Sequence, residues 1–156
     1  MARASYAAVK LGLPVKDLCR GFDSVSACLS KGLGAPAGTM LVGGKDFIAR
    51  ARRARKILGG VMRQAGVLAA AGLYALEHNV ERLAEDHANA ERLARGIGAE
   101  PPQSNMVFVK SAPGLVEHLA QHGVVVLTGA RLRLVTHLDV DAAGIDRAIA
   151  AFGTFK

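Results

Sequence analysis

The stretch Cys28-Leu29-Ser30-Lys31-Gly32-Leu33-Gly34-Ala35-Pro36 constrains the fold more than any other in the chain. The apolar run Val25-Ser26-Ala27-Cys28-Leu29 leads into it, and Met40-Leu41-Val42 follows at once. Between them, glycines at 32, 34 and 38 and proline at 36 forbid a helix or a continuous strand. The pattern predicts strand, tight loop, strand, with Lys31 at the mouth of the loop. Small neighbours let an amine placed there approach a bound carbonyl. Partial desolvation would favour its neutral, nucleophilic form and hence Schiff-base chemistry. The same residues also allow a plainer reading, a solvated lysine in a turn.

A chain of 156 residues is long enough for one domain or two small ones, and it can bury a real core. With 51% hydrophobic residues, global disorder is excluded. No run of about 18 uncharged apolar residues occurs, so no membrane span is expected. The start shows no signal-peptide pattern. Two cysteines, Cys19 and Cys28, make no disulfide framework and read as reduced, buried thiols, which suits a cytoplasmic or organellar-matrix protein.

The charge balance is +7, and much of the excess lies in Arg50, Arg52, Arg53, Arg55 and Lys56. Such a run could bind nucleic acid or an anionic cofactor. With two Tyr, five Phe and no Trp, the chain offers few platforms for stacking bases. A solvated helix face or a subunit contact is therefore expected, and no nucleic-acid partner.

Tyr6 to Leu11 reads as a short helix closing at Gly12, and Val15 to Leu18 as a second short piece. Phe47 to Leu58 reads as a basic helix capped by Asp46 and interrupted by Gly59-Gly60. From Val61 to Ile97, apolar residues recur every three or four positions, which predicts one long helix. Its Ala/Gly-rich first half should be buried between other elements. Its charged second half should be half-exposed, as suits a connector between two domains. After Pro101-Pro102 the order predicted is strand (106–109), helix (114–121), strand (124–127), strand (131–137) and a last helix capped by Asp141. This is a small α/β layer. His87 lies on the apolar stripe and reads as a core histidine; His78, His118 and His122 read as exposed. No His/Cys/Asp set has metal-ligand spacing, so no metal is expected.

Three segments resemble one enzyme family. Ser30-Lys31-Gly32-Leu33-Gly34-Ala35-Pro36 is similar to the cofactor-lysine segment of the low-specificity threonine aldolases. Arg55-Lys56-Ile57-Leu58-Gly59-Gly60-Val61-Met62-Arg63-Gln64 and Arg133-Leu134-Val135-Thr136-His137 resemble two further segments of that family, in the same order. The resemblance implies an α/β fold: the C-terminal part of a fold-type I pyridoxal 5'-phosphate (PLP) enzyme. Residues 1–75 would be the tail of the PLP-binding large domain. Residues 76–156 would be the small C-terminal α/β domain, with the long helix over 61–97 connecting the two.

It further implies aldol cleavage of threonine-type β-hydroxy-α-amino acids to glycine and an aldehyde. Lys31 would be the catalytic, cofactor-binding lysine. Lys56 and Arg63 would reach the cofactor phosphate, in part from a neighbouring subunit. Arg3 and Arg133 would grip the substrate carboxylate, a task that suits a planar guanidinium. His137 lies near Arg133 on the same strand. From periodicity alone, Arg133 reads instead as an outward strand residue with a surface salt bridge. A homodimer or homotetramer is implied, with a small amino acid as substrate.

The family's Asp-Gly ahead of Ala2-Arg3 is not matched, since Met1 stands where the glycine would be. That aspartate pairs with the cofactor's ring nitrogen, so the chain alone is expected to bind PLP weakly and to cleave nothing. The alternative function is a non-catalytic fragment acting as an oligomerisation module through the Ala/Gly-rich helix.

Overall fold

The glycine-punctuated stretch forms a hairpin. Strands β1 (Ser24–Cys28) and β2 (Thr39–Gly43) pair antiparallel, with Ser24 opposite Gly43 and Cys28 opposite Thr39. The computed structural model describes residues 2–155, with side chains from Ala4 onward. It divides into two compact units that meet between Leu83 and Ala84.

In the first unit, α1 (Ala2–Leu11) ends at Gly12, whose φ of 63° is the left-handed conformation that stops a helix. After α2 (Val15–Leu18) comes the hairpin, then α3 (Lys45–Ile57) and α4 (Gly66–His78). Tyr6, Leu29, Leu33, Ala35, Ala75 and Leu83 form its core. Three of these belong to the loop between β1 and β2, so that loop is anchored rather than a free turn. Helix α3 starts two residues earlier than expected. Gly44 is its cap, and Asp46, the expected cap, falls in the first turn, where its charge still suits the helix dipole. At its other end, Gly60 N–H donates to Arg55 O (2.8 Å) and Gly59 N–H to Lys56 O (3.1 Å). This closing pattern depends on the left-handed Gly59, with φ 75°.

The single helix expected over 61–97 is two helices, α4 and α5 (Leu83–Gly96). The break has a tertiary cause. Asn79 caps α4, and its side-chain amide donates to Leu33 O at 2.7 Å. The turn 80–82 then lets Leu83 enter the core of the first unit. Nor is the Ala-rich half buried: only Gly72 and Ala75 of α4 are, while Val67, Leu73 and Tyr74 stand exposed. Nothing among the described residues covers them.

The second unit is one antiparallel pair under helices. Strand β3 (Met106–Lys110) pairs with β4 (Arg131–Val135), Val107 opposite Leu134 and Val109 opposite Leu132. Ala90, Leu93 and Ala94 of α5, Leu115 and Leu119 of α6 (Leu115–Gln121), and Ile145, Ala148 and Ala151 of α7 (Ala142–Thr154) bury one face of the pair. Asp141 caps α7 as expected, accepting from Gly144 N–H at 2.7 Å.

The strand expected at 124–127 is extended chain with no ladder. Its alternation survives: Val124 and Val126 pack on the core while Val125 is 89% exposed. Its first amide is spent closing α6, since Val124 N–H donates to Leu119 O (2.9 Å) behind the left-handed Gly123. His118 is half-buried rather than exposed. Its Nε2 lies 2.9 Å from Ala151 O and 3.1 Å from Thr154 Oγ1, and its ring meets Phe155 edge-on. It thereby ties α6 to the end of α7. His87 is buried, as expected, whereas the free thiols of Cys19 and Cys28 are half-buried rather than buried.

Gly96 closes α5 against Ile149. A Cβ there would lie 2.7 and 2.9 Å from Ile149 Cγ1 and Cγ2. Both atoms sit on a branched, half-buried side chain that cannot swing aside. Gly96→Ala should therefore destabilise the chain by about 1–3 kcal/mol, despite alanine's better helix propensity. The shift in urea midpoint measures it.

Candidate active site around Lys31

The loop carrying Lys31 is tied down on both sides. Leu29 N–H donates to Gly38 O (3.0 Å), Ala35 N–H to Leu29 O (3.1 Å) and Gly34 N–H to Lys31 O (2.8 Å). Positive φ values at Gly34 (73°) and Gly38 (124°) make this path possible. Leu29, Leu33 and Ala35 turn into the core, which leaves Ser30 and Lys31 outward. Lys31 is exposed, so burial within this chain does not supply the desolvation its sequence context suggested. Its amine makes no hydrogen bond or ion pair among the described residues, and it is free to meet an aldehyde.

Cys28 stands beside it. Its Sγ is 3.3 Å from Ser30 Oγ. Hydrogen bonds from the Ser30 side chain and backbone pull the thiol below its ordinary pKa, helped by Thr39 and by the positive charge of Lys31.

Lys56 and Arg63 flank the Gly59-Gly60 break in the same unit, and both are exposed. Among the described residues, neither forms an ion pair. Arg3 lies in the first turn of α1, and its side chain is outside the described residues.

Arg133 is on the exposed face of β4 in the second unit, where it lines a cleft of about 450 Å³. Thr136, His137 and Arg147 line the same cleft, beside the extended segment 124–127. The sequence did not point to Arg147, because one charge on an amphipathic helix reads as plain solvated surface. His137 lies beyond the end of β4, and its Nδ1 is 3.3 Å from the Asp139 N–H that points to it.

The floor of this segment is a buried polar node. Thr136 Oγ1 donates to Asp86 O (2.6 Å), and Asn105 Nδ2 donates to Thr136 O (2.7 Å). The pair also exchanges a backbone bond, Thr136 N–H to Asn105 O at 3.1 Å. The node fixes the end of the strand that carries Arg133.

A family model described as beta-eliminating lyase matches residues 1–112. The chain belongs to the beta-eliminating lyase family. Among similar proteins, the low-specificity L-threonine aldolase of Escherichia coli O157:H7 is 45% identical over 163 residues, covering 99% of this chain and 49% of that protein. The low-specificity L-threonine aldolase 1 of Arabidopsis thaliana is 38% identical, covering 97% of this chain and 47% of the relative. The chain thus spans about half the length of the curated relatives it matches.

In three dimensions, a Listeria monocytogenes protein provisionally described as an L-allo-threonine aldolase superposes with a TM-score of 0.77 at 20% identity, over 97% of this chain and 49% of that one. The fold expected from the resemblance is therefore present: α/β, matching about half of such a structure. The long connecting helix is replaced by α4, a turn and α5. No helix among the described residues is long and apolar enough to cross a membrane.

Proposed function

We propose that the chain is the C-terminal part of a PLP-dependent threonine aldolase. In this reading, residues 1–75 belong to the cofactor-binding domain and 76–156 to the small domain. The substrates are threonine or allo-threonine-type amino acids, split to glycine and an aldehyde. The observation that carries the reading is a core-anchored loop that presents the exposed Lys31 amine between small residues.

The donor set fits PLP. A primary amine is accessible for the aldehyde, and Lys56 and Arg63 offer exposed cations for the phosphate. Bound PLP supplies an electron sink for cleavage of the bond between Cα and Cβ. Lys31 would hold the cofactor through its aldehyde, and as a free amine it would serve as a base toward the substrate. Arg3 and Arg133 would each offer paired N–H donors to the substrate carboxylate, which would fix its orientation. The working form is a cytoplasmic homodimer or homotetramer.

Trapping tests this reading. Incubation with PLP followed by borohydride should tag Lys31 in preference to the exposed Lys45, as mapped by mass spectrometry of peptides. The chain by itself, at half the length of its relatives, should release no glycine from threonine. Equal tagging of the two lysines would refute the assignment of Lys31.

A further inference from the structure

Lys31 is the only member of its loop that the proposed chemistry uses, yet among the described residues its amine makes no hydrogen bond or ion pair that would aim it. Its aim must come from the backbone beneath. Gly32, the next residue, is half-buried, and what lies under it is Tyr6. A Cβ built on Gly32 would fall 2.6 Å from Tyr6 Cζ, with Cε2 and Oη nearer still. The phenol therefore occupies the space that a side chain at position 32 would need.

Tyr6 is 6% exposed and shares the core with Leu29, Leu33 and Ala35. Asn79 holds the far side of the loop through Leu33 O (2.7 Å), and Gly34 N–H holds Lys31 O (2.8 Å). The loop is thus fixed from the side by hydrogen bonds and from below by one aromatic ring.

We propose that Tyr6 is a positioning residue for Lys31: its ring, seated under Gly32, sets where the lysine backbone stands. The effect passes through Gly32, and Tyr6 itself need not touch the cofactor. Fixing the Cα of a long flexible side chain reduces the conformations its amine must search before it meets an aldehyde. The inference rests on the reading of Lys31 as the aldehyde-binding lysine. It deepens that reading, because it explains why the residue after the lysine has to be glycine in this chain.

The test uses the full chain, PLP and borohydride, and reads the ratio of tag at Lys31 to tag at Lys45. Urea unfolding is followed in parallel. Tyr6→Ala and Gly32→Ala should each lower the ratio about fivefold, a coupling of ordinary size between packed neighbours. Tyr6→Phe keeps the ring and should stay close to the unsubstituted ratio. The double variant Tyr6→Ala/Gly32→Ala places the new methyl in the vacated space and should recover part of the loss. A purely structural role would change the urea midpoint without this recovery. If Tyr6→Ala shows no unfolding transition, Tyr6→Leu, which keeps apolar burial but not the ring's reach, should lower the ratio in the same direction. Equal tagging of Lys31 and Lys45 in the unsubstituted chain would sink the lysine reading itself. Preferential tagging that survives Tyr6→Ala, Tyr6→Leu and Gly32→Ala unchanged would overturn the role of Tyr6 alone.

Discussion

Leu132→Ala should cost the second unit about 2–5 kcal/mol, the range for truncating a fully buried leucine. Leu132 has no exposed surface and is the second residue of β4, opposite Val109. The helices pack over this face, so their backbones cannot collapse into the space left by its methyl groups without breaking their own contacts. A single small core of roughly 70 residues supplies only about 3–5 kcal/mol. The substitution should therefore leave the second unit largely unfolded at 25 °C. Hydrogen exchange at the amides of β3 and β4 reads this directly, because their protection should fall to that of open chain. Arg131→Ala, one residue away on the exposed face, serves as the comparison: it loses only the stacking of its guanidinium 4.7 Å over the Phe108 ring and should cost about 0.5–1 kcal/mol. A cost under 1 kcal/mol for Leu132→Ala would mean that the face assigned to the core is wrong. The consequence for function is geometric: once β4 loses its register, Arg133 no longer has a fixed place in its cleft.

Most elements could be read locally because local chemistry decides them. The hairpin follows from two apolar runs parted by Gly and Pro, and α7 follows from Asp141 and the spacing of Ile145, Ala148 and Ile149. The misreadings share a different cause. Helical periodicity carries on through Val80 and Leu83, so nothing in the pattern marks a break. The break comes from the Asn79 amide being used by Leu33 O, a partner distant in sequence. In the same way, Val124 to Leu127 has the apolar character of a strand but no neighbour among the described residues to complete its ladder. His118 looked like a surface residue because its partners, Ala151 and Thr154, lie on another helix.

The candidate site divides along the same line. Lys31 could be found because the residues around it are conformationally special. Tyr6 could not, because one aromatic in an Ala-rich helix looks like any other core residue, and only the closeness of Gly32 gives it a role. The exposed apolar face of α4 ran against expectation as well. A helix that is apolar nearly all round is normally enclosed. Here Val67, Leu73 and Tyr74 are uncovered in a chain that spans about half the length of its relatives.

Lys31→Ala should have the opposite profile to Leu132→Ala: a large chemical effect and a small thermodynamic one. The side chain is exposed and unpaired among the described residues, so stability should change by less than about 0.5 kcal/mol. Borohydride trapping of PLP should nevertheless fall to the slow background of the other exposed lysines, since no other amine stands on this loop. Lys31→Arg should behave alike, because a guanidinium keeps the charge but does not condense with an aldehyde under these conditions. Trapping that continues at the unsubstituted level, at any other lysine, would remove Lys31 from the mechanism. Cys28 gives an independent check on local geometry. Ser30 is the main cause of its lowered pKa, and the Lys31 charge is a lesser one. Removing a hydrogen-bond donor or a nearby positive charge disfavours the thiolate, so each change raises the pKa. The pH midpoint of Cys28 alkylation should therefore move upward in Ser30→Ala, and upward by less in Lys31→Ala. A midpoint unmoved in Ser30→Ala would show that the thiol and the serine hydroxyl are not paired, and that the loop around Lys31 is arranged differently.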